Sequence, residues 1–238
     1  VLLLPRPGWR HAWARRLCRL FFRLVGSFRV EGIEHLPSTG PFVVASNHAS
    51  YVDSMVLFAA LPRNLAFAAK REFEDHSITR VLMRRLGTVF VDRSETGQAL
   101  TALDQLRHQA EQRGLAVFVE GTFVSDPGLR PFRLGAFQVA VEAGCPVVPL
   151  VISGSRRLLR DEQWMFRPSA VQVRLLPAES PDDRGFTAAV GLRDRVRTRM
   201  LEHLEEPDLA VPRALGEGPI AEAGRWAMGD RLASGGGS

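Results

Sequence analysis

Lysine is almost missing from this chain: Lys70 is the only one among 31 basic residues, the rest being arginines. We read that imbalance as a coding bias. Cysteine is nearly absent too. Cys18 and Cys145 make neither a disulfide framework nor a metal-ligand cluster, which fits a reducing compartment. No apolar run reaches the ~18 residues that a complete transmembrane helix needs. The net charge of +5 and pI near 10.4 raise the question of nucleic acid. Residues 1–25, however, hold six arginines and no acid, which leaves the remainder near −1 (5 − 6). A charge confined to one segment argues against a nucleic-acid-binding domain. The first residue is not methionine and the end is Gly-rich. Together with the apolar start Val1-Leu2-Leu3-Leu4, this leaves open that the sequence is a piece of a longer protein.

What remains is an ordinary globular composition, 45% hydrophobic and 24% charged, over 238 residues. That is enough for one large α/β domain or two small ones. Residues 9–25 have helical periodicity. Trp9, Trp13, Leu17, Leu20, Phe21 and Leu24 share one face, and Arg15, Arg16, Arg19 and Arg23 another. Tryptophan and arginine at an apolar boundary suit an interfacial membrane helix. The competing reading is a helix packed on the protein's own core with its arginines in solvent. The lack of acidic counterparts favours the membrane.

From there strand and helix patterns alternate. Strands are expected at 28–33, 41–45, 64–69, 88–91, 115–119, 146–151 and 171–175. Helices are expected at 54–61, 77–86, 97–113, 132–143 and 187–205. The fold class is therefore α/β, a mostly parallel central sheet flanked by helices, with an N-terminal amphipathic helix. We divide the chain into a membrane-associating helix (1–26), a main domain (27–206) and a Pro/Gly/Ala-rich tail or linker (207–238).

Three polar clusters directly follow apolar strands: Asn47-His48, Asp92-Arg93 and Glu120-Gly121-Thr122. In a parallel sheet these positions share the carboxyl edge, where open α/β folds bind ligands. The first continues as Asn47-His48-Ala49-Ser50-Tyr51-Val52-Asp53. Residues five apart lie about 140° apart on a helix, so His48 and Asp53 meet only if the chain turns between them. In such a turn the carboxylate could orient the imidazole as a base. Ser50 and Asp53 also read as a capping box, Ser-x-x-Asp, and both readings can hold. The same His/Asp spacing recurs at His203 and Asp208, in a charged stretch around Pro207, and there we read it as accidental.

In order and spacing, four blocks resemble those of the glycerolipid acyltransferases, the family of 1-acylglycerol-3-phosphate acyltransferase. They are Asn47-His48 through Asp53, Gly87 through Asp92-Arg93, Phe118-Val119-Glu120-Gly121-Thr122-Phe123, and Cys145-Pro146-Val147-Val148-Pro149-Leu150. The resemblance covers residues 27–176. It implies an O-acyltransferase in which His48 is the general base and Asp53 orients it. The acyl group would pass from acyl-CoA or acyl-carrier protein, as co-substrate, to the free hydroxyl of a lysophospholipid. No cofactor and no metal are implied. The resemblance places Arg93, Glu120, Gly121 and Thr122 at the acceptor site. It also implies a peripheral or monotopic location on the cytoplasmic face of the cell membrane.

The third block departs from the family pattern twice. Val119 replaces a proline, and Phe123 replaces an arginine that would bind phosphate. Losing that contact would cost roughly 1.5–3 kcal/mol if nothing substitutes. Arg130 and Arg133 on the same loop could substitute, or the acceptor could carry a phosphodiester or no phosphate. Two alternatives stay open: a domain of a larger fusion with an acyl-activating ligase, and a non-catalytic lipid-binding protein.

Overall fold

The structure, a computed structural model, describes residues 7–62, 65–70, 88–91, 96–122, 127–159 and 166–210. The expected helix at 77–86 lies outside these residues, as do Asp92, Arg93 and Phe123.

The strand β2 (Val43–Ser46) is buried along its whole length. Its side chains alternate between two cores, as a strand covered on both faces must. Val43 and Ala45 join one core, where Leu106, Phe137, Val139, Leu192, Val196 and Met200 come from helices. Val44 joins the other, with Phe22, Val56, Leu57 and Ala60. This explains why the central strands read as unbroken apolar runs.

The remaining strands are β1 (Gly26–Glu31), β3 (Ala66–Lys70), β4 (Thr88–Val91), β5 (Leu115–Phe118), β6 (Val147–Ser153) and β7 (Ser169–Leu175). They form one seven-stranded sheet in the order β1-β7-β6-β2-β5-β3-β4. Among the described strand pairs only β6–β7 is antiparallel. The expected α/β class holds.

The helices are α1 (Pro7–Leu24), α2 (Asp53–Ala60), α3 (Thr96–Arg113), α4 (Gly135–Glu142), α5 (Ser155–Leu158) and α6 (Phe186–Leu201). Helix α3 closes on Gly114, whose φ of 82° is a left-handed stop. An added Cβ there would come within 2.7 Å of the Phe42 ring. Because α4 begins at Gly135, three residues later than the sequence pattern suggests, residues 132–134 are freed as loop.

Helix α1 turns part of its arginine face, not its apolar stripe, toward the rest of the protein. Arg19 donates from Nε to the Ala59 carbonyl at 2.8 Å, and Arg15 reaches the Leu61 carbonyl at 3.4 Å. Both therefore satisfy the last carbonyls of α2, where a cation is favoured. Phe22 is fully buried beside them. Trp13, Leu17, Leu20 and Leu24, at helical spacing, are exposed by 46%, 50%, 52% and 77%. The apolar stripe thus faces out and two of the arginines face in. Phe21 leaves the stripe and packs edge-on against Phe22 and Phe166, each at 5.3 Å. Among the described residues no helix is long and apolar enough to cross a membrane.

Candidate active site

The β2 strand is in parallel register with β5, pairing Ser46 with Phe118. Residues just beyond those partners must therefore meet at the carboxyl edge of the sheet. Asn47 is the first. Its side-chain amide accepts from the Ile152 N–H at 2.7 Å and donates to the Ile152 carbonyl at 2.9 Å. A buried amide imitates a peptide unit in this way and extends the β2–β6 pairing by one step. The main chain is then free to turn away from the sheet, and His48 is presented at the turn.

Asp53, Phe118 and Glu120 hold His48. Its Nδ1 lies 2.9 Å from Asp53 Oδ2. Its ring stacks on Phe118 with centroids 4.0 Å apart and planes 13° apart. Its backbone N–H donates to Glu120 Oε1 at 2.7 Å. An ionised carboxylate only accepts, so Nδ1 carries the hydrogen and Nε2 the basic lone pair.

Asp53 is completely buried at the first position of α2. The same Oδ2 accepts the N–H groups of Ala49 at 2.6 Å and Ser50 at 2.8 Å. This is one half of the expected capping box. The other half is not made: the Asp53 N–H donates to the Ser50 carbonyl at 3.1 Å, while Ser50 Oγ accepts from the Val52 N–H at 3.5 Å and donates to the Leu159 carbonyl at 2.8 Å. The cap and the catalytic-looking pair are thus one arrangement. Oδ1 is buried and accepts from no described residue.

Glu120 is 3% exposed, and both of its oxygens are committed. Oε1 takes the His48 N–H and Oε2 the Arg130 N–H, the latter at 2.8 Å. Burial pushes its carboxyl above the ordinary value, and the two amides pull the other way. In the structure, then, it brackets two loops with its oxygens rather than presenting them outward. Gly121, at φ 80°, turns the chain just after it and donates to the Phe118 carbonyl at 3.1 Å. Thr122 is exposed, and its carbonyl receives the Arg130 guanidinium at 3.4 Å. Arg133 is exposed, with its backbone N–H on the Val119 carbonyl at 2.7 Å. Arg93 lies outside the described residues. The strand that precedes it in the sequence, β4, lies three strand spacings or about 14 Å from β2 in the sheet.

The structure therefore gathers His48, Asp53, Glu120 and the Arg130 backbone. Sequence reading gave no task to Asn47 or Phe118, and gave Ser50 only that of a cap. A polar residue directly ending an apolar strand was the available signal for Asn47. The His203/Asp208 copy shows no such pairing: His203 Nδ1 lies 3.0 Å from the Arg199 carbonyl, and Asp208 pairs with Arg197. Nor does Cys145 offer a nucleophile, since burial pushes its thiol up to about 11.

The sequence model of the Acyltransferase family matches residues 27–153. The human 1-acyl-sn-glycerol-3-phosphate acyltransferase alpha is 32% identical over 195 residues, 80% of this chain and 69% of the relative. The 1-acyl-sn-glycerol-3-phosphate acyltransferase of Saccharomyces cerevisiae is 29% identical over 182 residues, 75% and 60% of the two chains. Among solved structures, the 1-acyl-sn-glycerophosphate acyltransferase PlsC from Thermotoga maritima superposes with a TM-score of 0.68 at 25% identity. That match covers 85% of this chain and 83% of the other. The chain therefore belongs to the acyltransferase family, as an enzyme of the 1-acylglycerol-3-phosphate acyltransferase type.

Proposed function

We propose that the protein moves an acyl group from acyl-CoA or acyl-carrier protein to the free hydroxyl of lysophosphatidate, with His48 as base. The observation that carries this reading is the Nδ1–Oδ2 contact of 2.9 Å, made by a carboxylate that two backbone amides hold in place. Nε2 takes the hydroxyl proton as the alkoxide attacks the thioester carbonyl. The tetrahedral intermediate collapses, the C–S bond breaks, and the imidazolium returns its proton to the thiolate. Asp53 stabilises the imidazolium while it lasts. Exchange of a thioester for an oxygen ester is downhill, so the scheme needs only the two substrates. Gly121, Thr122, Arg130 and Arg133 border the head-group position, and Arg93 follows a strand of the same edge. Glu120 serves by fixing the distance between the two loops.

Phe123 is the reason to test the head group. Where a charge-assisted contact is worth roughly 1.5–3 kcal/mol, its retention through Arg130 or Arg133 corresponds to about tenfold or more in kcat/KM. We expect purified protein to acylate lysophosphatidate at least about tenfold faster than lysophosphatidylethanolamine with a given thioester. Products resolved by mass spectrometry decide this. Comparable rates would mean the head-group assignment is wrong, and no transfer to any lysolipid would remove the proposal.

The acceptor is a membrane lipid, and α1 supplies the means of reaching it. Its outward stripe is flanked by Arg16 and Arg23, both exposed, with the Arg16 guanidinium 5.6 Å from the Trp13 ring centroid. Apolar side chains bordered by cations fit the interface of an anionic leaflet, as on the cytoplasmic face. Burying a leucine is worth about 1.5–3 kcal/mol, so Leu17→Asp with Leu20→Asp should cut vesicle binding by at least about tenfold. Cosedimentation with phosphatidylglycerol-containing vesicles measures it. Pelleting equal to the unaltered protein would sink the interfacial role of α1.

A further inference from the structure

The loop at residues 128–130 belongs to no strand or helix, yet Gly128 and Leu129 are buried. Buried main-chain groups need partners. Residues 206–209, expected from the sequence to lie around the start of a tail, supply most of them. The Gly128 N–H donates to Glu206 Oε2 at 2.8 Å. The Leu129 N–H donates to the Pro207 carbonyl at 2.9 Å, and the Leu209 N–H returns to the Leu129 carbonyl at 3.0 Å. This is a one-step parallel bridge. From α6, Arg197 adds its guanidinium to the carbonyls of Leu129 and Arg130, and Asp208 holds that guanidinium by an ion pair. Arg156 anchors Glu206 at 3.2 Å. The side chain of Leu209 lies so close over Gly128 that an added Cβ would come within 2.4 Å of it.

The Arg130 N–H is the group that Glu120 brackets to the backbone of His48. A continuous set of bonds therefore runs from Asp208 through Arg197 and the 129–130 peptide to Glu120 and the histidine turn. Arg133, three residues on, follows Phe132, whose ring lies under the Arg197 guanidinium at 5.0 Å. We propose that residues 206–209, with Arg197, form a strap that sets the position of the 128–133 loop for the acceptor. Arg197 and Asp208 are then positioning residues, acting through the backbone of that loop and through Glu120. The proposal rests on the acyl-transfer reading for its kinetic consequence, but not for its structural one.

Glu206, Pro207, Asp208 and Leu209 thus belong with the main domain, and the expected boundary at 206/207 falls inside the strap. Where a misplacement of about 1 Å can cost 100-fold, Asp208→Ala should lower kcat/KM for lysophosphatidate by about 10- to 100-fold. Most of the loss should enter through the acceptor KM, with the thioester KM unchanged. Asp208→Asn keeps the shape and one acceptor oxygen, so it should lose less. With Glu120→Gln already present, Asp208→Ala should cost little more, because the bracket it acts through is already broken. Hydrogen exchange of the full chain gives a second readout that needs no substrate. In Asp208→Ala the amides of Leu129, Arg130 and His48 should exchange faster. Unchanged exchange would overturn the strap. So would faster exchange with an unmoved acceptor KM, or losses from the Glu120 and Asp208 variants that simply multiply. If the unaltered protein acylates no lysolipid, the acyl-transfer reading fails, while the exchange data still decide whether the strap holds the loop.

Discussion

Replacing His48 by alanine is expected to lower kcat by about a thousandfold, within the 100- to 10,000-fold range of a lost general base. The folded enzyme should survive. The change removes one hydrogen bond to Asp53 and the stack on Phe118, but Asp53 Oδ2 keeps the N–H groups of Ala49 and Ser50. No charge is left buried without a donor, so the stability cost should stay near 1–2 kcal/mol. Substrate KM values should move little, because the base acts on the proton in flight and not on binding. Kinetics and a thermal melt on one preparation measure both quantities. Activity within tenfold of the unaltered enzyme would take the base away from His48. A lost melt with lost activity would leave only a folding role.

The sheet and the His48 turn were legible because their signals are side-chain patterns. A strand covered on both faces must be apolar throughout, and Val43-Val44-Ala45 and Leu115-Ala116-Val117 are. A histidine and a carboxylate five apart can meet only across a turn, and Ser50 marks that turn. What stayed hidden falls into two kinds. The periodicity of α1 shows which residues share a face, but not which face meets the protein. Arg15 and Arg19 were therefore grouped with Arg16 and Arg23 on one polar face, whereas these two answer to the carbonyls at the end of α2. The second kind is backbone recognition. The N–H groups of His48 and Arg130, which claim Glu120, and the Leu129–Leu209 bridge are carried by atoms every residue has. Such bonds leave no mark on residue identity, so a strap starting at residue 206 reads as the approach to a tail. Glu206 and Asp208 were visible as charges, and only the fold says whose charges they answer.

Asp53 is the residue where cap and catalysis can be pulled apart by the choice of substitution. Asparagine is nearly isosteric. With its carbonyl at the Oδ2 position it can still accept from His48, Ala49 and Ser50, while its NH2 takes the place of Oδ1, which no described residue donates to. The turn should therefore persist, with a melt within about 1–2 kcal/mol of the unaltered protein. On the proposed reaction, what is lost is the negative charge that stabilises an imidazolium beside a forming alkoxide. By analogy with other carboxylate–histidine bases, Asp53→Asn should lower kcat by about 100- to 10,000-fold. Alanine does something different. It strands the N–H groups of Ala49 and Ser50 in a site that is otherwise closed to water, at about 1–3 kcal/mol each. Against a total stability of about 5–15 kcal/mol, that should lower the melting temperature sharply as well as remove activity. Two melts and two kcat values suffice to compare them. An asparagine variant with kcat within threefold of the original would show that the charge is not used in the reaction. An alanine variant that melts like the original would show that Asp53 does not hold the start of α2, and the one-atom link between cap and base would be lost with it.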